Sequence, residues 1–304
     1  MSTTTLTIDR PRTNWLTRVV DYVELTKPRI GVLVLVTVAA AYTCARWGQP
    51  DPTVLLHILI GTLLVASSAS ALNQCLERRL DLQMDRTADR PLPSGRLRLS
   101  EAVVFAVTTF LVGTVYLAVL VNLQVALWGL LTWVLYVWVY TPLKMKTPLN
   151  TAVGAVAGAM PILIGWSAAE DMRGSFVRAF ALFTIVFLWQ FPHFMAIAWI
   201  YRKQYGDAGM KMLPVVDPTG RRAGIQAVAS ALALLPISLL LGAHMPGLGG
   251  FVYISIAFVL GVAQLAFAIA FCVRMNDAAA RRLLKASLVY LPTLLMLVLL
   301  CLWI

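Results

Sequence analysis

The stretch 54-VLLHILIGTLLVASSASALNQCLERRLDLQMD-85 joins two unlike halves. Val54–Leu72 is an apolar run, interrupted only by His57 and small hydroxyl residues, of the length a transmembrane helix needs. Asn73, Glu77, Asp81 and Asp85 then recur at every fourth position. Residues four apart are neighbours on one face of a helix. Such a row drifts by only ~40° per step and spans about 18 Å. Three carboxylates on one stripe repel one another unless something cationic sits between them. Mg2+ is the natural guest, a hard cation often held by one or two carboxylates together with phosphate oxygens. The stripe therefore reads as a site for Mg2+ and a diphosphate at a membrane surface. The competing reading is a solvated, mixed-charge helix end, because Arg78, Arg79, Arg86 and Arg90 are interleaved with the acids.

Composition extends the first half of that stretch to the whole chain. Hydrophobic residues make up 60% of the sequence and charged residues only 13%, far from the soluble norm. Apolar runs of transmembrane length recur from end to end. They are solid rather than alternating, which excludes a barrel and predicts an all-α polytopic membrane protein. Cys44, Cys75, Cys272 and Cys301 are scattered without metal-site or disulfide spacing and read as small apolar fillers. No cleavable signal is expected, since the first apolar stretch is too long for one.

Nine spans are predicted in one bundle: 30–47, 53–73, 101–121, 124–142, 151–168, 176–200, 223–243, 251–273 and 286–304. Residues 1–29 form an N-terminal segment, and 30–304 the transmembrane domain. Residues 74–100 and 201–222 are expected as long polar loops. Every Lys and Arg except Arg46, Arg173 and Arg178 falls on one side, including Arg10, Arg12, Lys144, Lys146 and Lys285. The positive-inside rule makes that side cytoplasmic, so the N-terminus is expected in the cytoplasm and the C-terminus outside. The net charge of +11 is thus a topology signal, with no call for nucleic acid as a partner.

The same rule brings the acidic stripe, Tyr140-Thr-Pro-Leu-Lys144 and Trp189-Gln-Phe-Pro-His193 toward one face. Lys144 can meet a diphosphate as a point charge, or merely snorkel beside an interfacial Tyr140. His193 lies inside an apolar span, where an ionisable group marks function by default or bonds neutrally across helices. His57 and His244 sit nearer span ends on the other side and carry no assigned role. Pro161 and Pro192 interrupt their spans and either shape a pocket or kink packing helices. Gly154-Ala-Val-Ala-Gly158 reads as close helix packing. Trp189, Phe191 and Phe194 suit an apolar ligand or lipid equally.

These motifs together resemble the intramembrane aromatic prenyltransferases. The resemblance is carried by Asn73-x3-Glu77-x3-Asp81-x3-Asp85-Arg-Thr with Arg90-Pro-Leu-Pro-Ser-Gly95, by Tyr140–Lys144 with Thr147-Pro-Leu-Asn150, and by Gly158–Pro161 with Gly165-Trp166. Ala208-Gly209 adds to the resemblance, and its Trp189–Phe194 and Met212–Val216 segments resemble the heme-modifying branch of that family. It runs from roughly Leu25 to the end. It implies a nine-helix bundle facing the cytoplasm from the cell (inner or plasma) membrane, farnesyl diphosphate as donor, heme b as acceptor and Mg2+ as the required ion. A downstream heme-modifying enzyme or a heme-copper oxidase is a candidate partner. Asn73, Glu77, Asp81 and Asp85 would hold the metal and diphosphate. Lys144, Tyr140 and His193 would be catalytic, and Arg78, Arg86, Arg202 and Asp207 would bind substrate.

Two departures stand out. Glu77 replaces the commoner Asp and keeps the charge with longer reach. Gln204 precedes Tyr205 where the family usually has an acid, so Asp207 is the candidate substitute and a second metal is in doubt. The alternatives are the same fold acting on a quinone-precursor ring, and a transporter or lipid-binding protein using the stripe as an ion site.

Overall fold

A computed structural model describes residues 14–169, 176–245 and 247–302. Arg10, Arg12, Arg173, Pro246 and positions 303–304 lie outside the described residues. Helices are α1 (Trp15–Leu25), α2 (Pro28–Ala45), α3 (Pro52–Asp81), α4 (Leu99–Leu120), α5 (Leu123–Leu143) and α6 (Asn150–Ser167). They continue with α7 (Phe176–Ile200), α8 (Arg202–Asp207), α9 (Leu213–Val216), α10 (Arg221–Ala243), α11 (Gly247–Arg274) and α12 (Asp277–Cys301). No strand occurs among the described residues, and nine of the helices are long and apolar enough to cross a membrane.

Turn chemistry sets the span starts. Asp51 caps α3 by accepting from the Thr53 and Val54 amides at 2.8 and 3.3 Å, with Pro52 in the first turn. Asn122 caps α5 through the Val125 amide, and Asn276 caps α12 through the Ala279 amide.

Several expected boundaries move, all for one reason. Hydropathy ends a span where apolar residues end, but backbone hydrogen bonding runs on through polar residues that do not break a helix. So α3 extends to Asp81, and the first residues of the expected 74–100 loop are helical. Its 30 residues rise about 45 Å, well beyond a hydrocarbon core of about 30 Å. The ninth span begins at Asp277 rather than 286, since Arg281, Arg282 and Lys285 ride on its first turns. The expected 201–222 loop contains α8 and α9. The segment 1–29 carries α1, which is tied down: Arg18 meets Glu101 at 2.6 Å, Arg96 pairs with both Asp21 and Glu24, and Leu25 packs with Ala71, Leu92 and Ala102. The outer face of α1, with Trp15, Leu16, Val19, Val20 and Val23, is exposed and apolar, as in helices that lie in a membrane interface.

The spans form one bundle. α2 packs on α3, α6 and α12, and α7 packs on α6, α10 and α12. Lys27 starts α2 at one end, and Leu302 packs on Gly48 at the other, so the first span begins and the last span ends at opposite faces. Arg178 lies at the basic-poor end. It is fully buried, stacks 3.4 Å over the Trp47 ring and donates to the Cys44 carbonyl at 2.8 Å. The four cysteines are free. α6 and α7 run through Pro161 and Pro192 without ending.

Close approach of α6 to α2 depends on Gly165. A Cβ there would sit 2.3 Å from the Val38 carbonyl oxygen and 2.9 Å from the Ala41 Cβ. Backbone cannot yield as a side-chain tip can, so Gly165→Ala should cost about 1–3 kcal/mol. We expect its unfolding temperature in detergent to fall. Gly31→Ala, whose added Cβ makes only an ordinary 3.8 Å contact with Leu63, should leave it unchanged or slightly raised. Equal melting temperatures for the two variants would contradict this packing account.

Candidate active site

The last turns of α3 supply the floor plan. Asn73, Glu77 and Asp81 lie one turn apart on the inward face and are buried, 1%, 5% and 1% exposed. They border a cavity of about 430 Å3 that runs from this end of the bundle into its interior. Each meets a basic side chain from a different segment. Lys27 Nζ donates to Asn73 Oδ1 at 2.6 Å. Lys144 Nζ donates to Glu77 Oε1 at 2.7 Å. Arg90 Nη1 donates to both Asp81 oxygens at 3.0 and 2.8 Å. Asn73 Nδ2 also donates to Thr141 Oγ1 at 3.0 Å, which fixes the amide so that Oδ1 faces Lys27.

Local backbone aims these groups. Lys27 adopts the left-handed conformation, φ 54° and ψ 62°, just before Pro28. Proline disfavours the ordinary helical region for the residue before it, and a left-handed lysine costs about 1–2 kcal/mol. On α5, Leu135–Tyr140 is π-helical. Pro142 lacks an amide proton and would clash with the carbonyl four residues back, and a widened turn relieves this. Thr141 Oγ1 bonds the Tyr136 carbonyl at 2.9 Å across that turn. Tyr136 and Tyr140 both line the cavity, and Lys144 Nζ lies 4.6 Å from the Tyr140 ring centroid. Gly154 and Gly158 pack more specifically than helix against helix. A Cβ at Gly154 would meet the Tyr140 ring at 2.7 Å, and one at Gly158 would meet Gln190 at 2.3 Å.

The opposite wall comes from α7. Trp189, His193 and Phe194 line the cavity, whereas Phe191 is buried against Phe187. His193 stacks on Trp189, centroids 4.8 Å apart. Its Nδ1 lies 2.9 Å from Ser287 Oγ, and that hydroxyl donates to the Leu284 carbonyl at 2.7 Å. With the serine proton on that carbonyl, Nδ1 is the donor of the pair and Nε2 carries the lone pair.

Not every predicted residue joins the cavity. Arg78 is exposed, because it follows Glu77 by one residue and so points about 100° away around the helix. The helical row ends at Asp81, where Thr87 Oγ1 bonds back to the Asp81 carbonyl, so Asp85 stands outside the stripe. Asp85 is exposed and accepts from Gln204 Nε2 at 3.2 Å. Asp207 is exposed at the end of α8. Arg202 ties α7 to α12 through the Trp199 carbonyl and Asp277, at 2.6 and 2.9 Å. Arg86 lines the cavity, 4.8 Å from the Tyr201 ring centroid and 3.2 Å from Tyr205 OH. Sequence reasoning misses Lys27, Tyr136 and Ser287 as site residues and gives Arg90 and Tyr205 no role. Only the Lys27-Pro28 pair carries a local signal, a basic residue before a proline at a span start.

The charge balance points to an anion. Four cations, Lys27, Arg86, Arg90 and Lys144, line the cavity with two carboxylates, Glu77 and Asp81. Burial, then the nearby Arg90, push the Lys27 ammonium down to about 7, and an anion arriving beside it would hold its proton more firmly. Burial works against the Lys144 ammonium too, but there Glu77 outweighs it and holds the group above its usual range. Asn73, Glu77 and Asp81 are all oxygen donors and suit a hard cation. Among the described residues no three His, Cys, Asp or Glu side chains cluster tightly enough to hold a metal by themselves. A Mg2+ here would need further ligands from phosphate or water, its usual habit.

The sequence matches the UbiA prenyltransferase family over residues 34–302. It is 43% identical over 281 residues to a protoheme IX farnesyltransferase of Solibacter usitatus, covering 90% of this chain and 95% of that one. It is 40% identical over 283 residues to the protein of the same name in Rhodopirellula baltica, with 90% and 97% covered. In fold it resembles a digeranylgeranylglyceryl phosphate synthase, with a TM-score of 0.77 at 15% identity over 94% of this chain and 98% of that one. It also resembles a UbiA homolog from Archaeoglobus fulgidus bound to GPP and Mg2+, with a TM-score of 0.66 at 13% identity over 93% and 100%.

The Glu77–Lys144 pair, 7% and 12% exposed, gives a stability test. Removing one partner of a buried pair typically costs about 3–5 kcal/mol, whereas an apolar replacement of both is often neutral. Without added metal, Lys144→Met should therefore lower the unfolding temperature, and Lys144→Met/Glu77→Met should recover most of the loss. A double variant as unstable as the single one would mean that Lys144 stabilises by packing alone.

Proposed function

The chain belongs to the UbiA prenyltransferase family, and we propose that it transfers a farnesyl group from farnesyl diphosphate to a vinyl group of heme b, giving heme O and diphosphate. One observation carries the reading: a single cavity joins a cation-rich mouth to a largely apolar interior. Lys27, Arg86, Arg90 and Lys144 stand at the mouth, and Thr62, Val65, Leu117, Gly129 and Ile164 lie deepest. From Asn73 to Thr62 the wall of α3 descends about 16 Å, a depth that suits an isoprenoid tail below its diphosphate. The acceptor follows the names of the relatives. The polar segments at the cavity mouth hold the basic residues, which supports a cytoplasmic active site in the cell inner membrane.

The reaction breaks the allylic C1–O bond, and its electron pair leaves on the diphosphate. The vinyl π bond supplies the pair for the new C–C bond. Water then adds to the resulting cation and gives up a proton, leaving a hydroxyethylfarnesyl group. Lys144, Lys27, Arg90 and Arg86 line the cavity where negative charge would grow on the leaving group, and cations brought to bear on it lower the barrier. Asn73, Glu77 and Asp81 would hold Mg2+. When bound, that ion would neutralise diphosphate charge and polarise the breaking bond. Tyr136, Tyr140 and Trp133 line the cavity, and aromatic rings there can stabilise an allylic cation. The apolar walls keep water from it until the vinyl carbon has reacted. His193 offers its Nε2 lone pair to the acceptor, as an iron ligand or proton acceptor.

Purified protein with heme b, farnesyl diphosphate and Mg2+ should yield a heme product heavier by one farnesyl group plus water, detected by mass spectrometry. EDTA, or the Glu77→Gln/Asp81→Asn variant, should abolish it. Diphosphate released only with an aromatic acid acceptor would replace heme as substrate. No release with any acceptor would remove prenyl transfer itself. His193→Ala should lower heme turnover at least tenfold while leaving the affinity for an unreactive farnesyl diphosphate analogue unchanged. An equal loss of both would make His193 a structural residue.

A further inference from the structure

The three rungs of the acidic row share a feature that diphosphate binding alone does not explain. Asn73 Oδ1, Glu77 Oε1 and the two Asp81 oxygens are each engaged by a cation, at 2.6, 2.7 and 2.8–3.0 Å. The cations arrive separately, Lys27 from the α1–α2 junction, Lys144 from the end of α5 and Arg90 from the segment after α3. All three also line the cavity that would take the diphosphate. Mg2+ binds oxygen at about 2.0–2.1 Å in near-octahedral order. An ammonium or guanidinium already at hydrogen-bond distance from the same side chain opposes it by like-charge repulsion, little screened in a buried site. Metal binding is therefore favoured once the cations have moved. In a buried site they leave only toward another anion, because an unpaired buried charge is strongly disfavoured.

We propose that Lys27, Lys144 and Arg90 guard the metal ligands in the free protein and release them when a diphosphate arrives to receive the cations. This inference rests on the metal-dependent prenyl transfer proposed above. Metal alone then binds weakly, and metal and diphosphate each raise the other's affinity by the same factor, as linkage requires. Lys27 and Arg90 thereby gain a role beside Lys144, as positioning residues for the metal ligands and as diphosphate ligands in turn.

Calorimetry on the full chain in detergent tests this with MgCl2 alone and with farnesyl thiolodiphosphate, an unreactive analogue. Wild type should bind MgCl2 alone weakly. Lys144→Met and Arg90→Gln should each bind MgCl2 alone at least tenfold more tightly, yet bind the analogue more weakly. Lys144→Arg, which restores a cation, should return metal affinity toward wild type. A residue that only binds diphosphate would move analogue affinity and leave the metal-only affinity unchanged. Thermal unfolding covers variants that fold poorly, since MgCl2 alone should raise their melting temperature more than that of wild type. Tight metal-only binding by wild type, or an unchanged or weakened metal affinity in both variants, would overturn the guard role. If heme farnesylation persists in that case, prenyl transfer stands without it. If wild type forms no product, prenyl transfer fails whatever the metal affinities.

Discussion

Carboxylates placed beyond the hydrocarbon but inside a protein cavity need compensating charge, and much of this structure follows from supplying it. α3 is long enough to carry Glu77 and Asp81 past the apolar layer, yet both remain buried. Burying an ion is costly unless it is paired and hydrogen-bonded. The chain meets that demand from three separate places, and each choice constrains an element. Lys27 requires the left-handed junction before α2. Lys144 requires α5 to end at the same depth as Glu77. Arg90 requires the chain after α3 to fold back over Asp81.

That folding back is itself supported from outside the cavity. Arg96, six residues after Arg90, joins Asp21 and Glu24 of α1, while Gln74 of α3 holds the Leu25 carbonyl at 2.9 Å. α1 leads directly into Lys27. The first helix, the segment after α3 and the acidic row are thus one connected polar assembly resting on the ends of α3 and α4. The exposed apolar face of α1 turns away from it. An excess of cations over carboxylates is then a functional asset, since the arriving ligand is a polyanion.

The apolar interior obeys a different logic. Small residues on α6 do not simply let helices touch. Gly154 and Gly158 leave space for Tyr140 and Gln190, and Gln190 in turn bonds the Ala155 and Val186 carbonyls at 2.9 and 3.1 Å. The π-helical turn of α5 accommodates Pro142 in a stretch whose aromatic rings line the cavity. The π-helical turn, Gly154 and Gly158 all border the cavity, where its walls replace close helix packing.

Local sequence determined a good deal by itself. Solid apolar runs admit only helices in lipid, and the four-residue spacing puts Asn73, Glu77 and Asp81 on one face by geometry. The asymmetry of Lys and Arg set those residues and Lys144 at a common end. Tertiary structure decided the rest. Which cation meets which acid depends on segments as far apart as residues 27 and 144, and no local pattern encodes that distance. The end of α3 at Asp81, which separates Asp85 from the row, depends on how residues 82–98 fold back. The exclusion of Arg78, Arg202 and Asp207 is likewise a matter of which way a helix faces once packed. A lysine before the first span reads as topology until α2 is docked on α3, because its reach to Asn73 exists only in the assembled bundle.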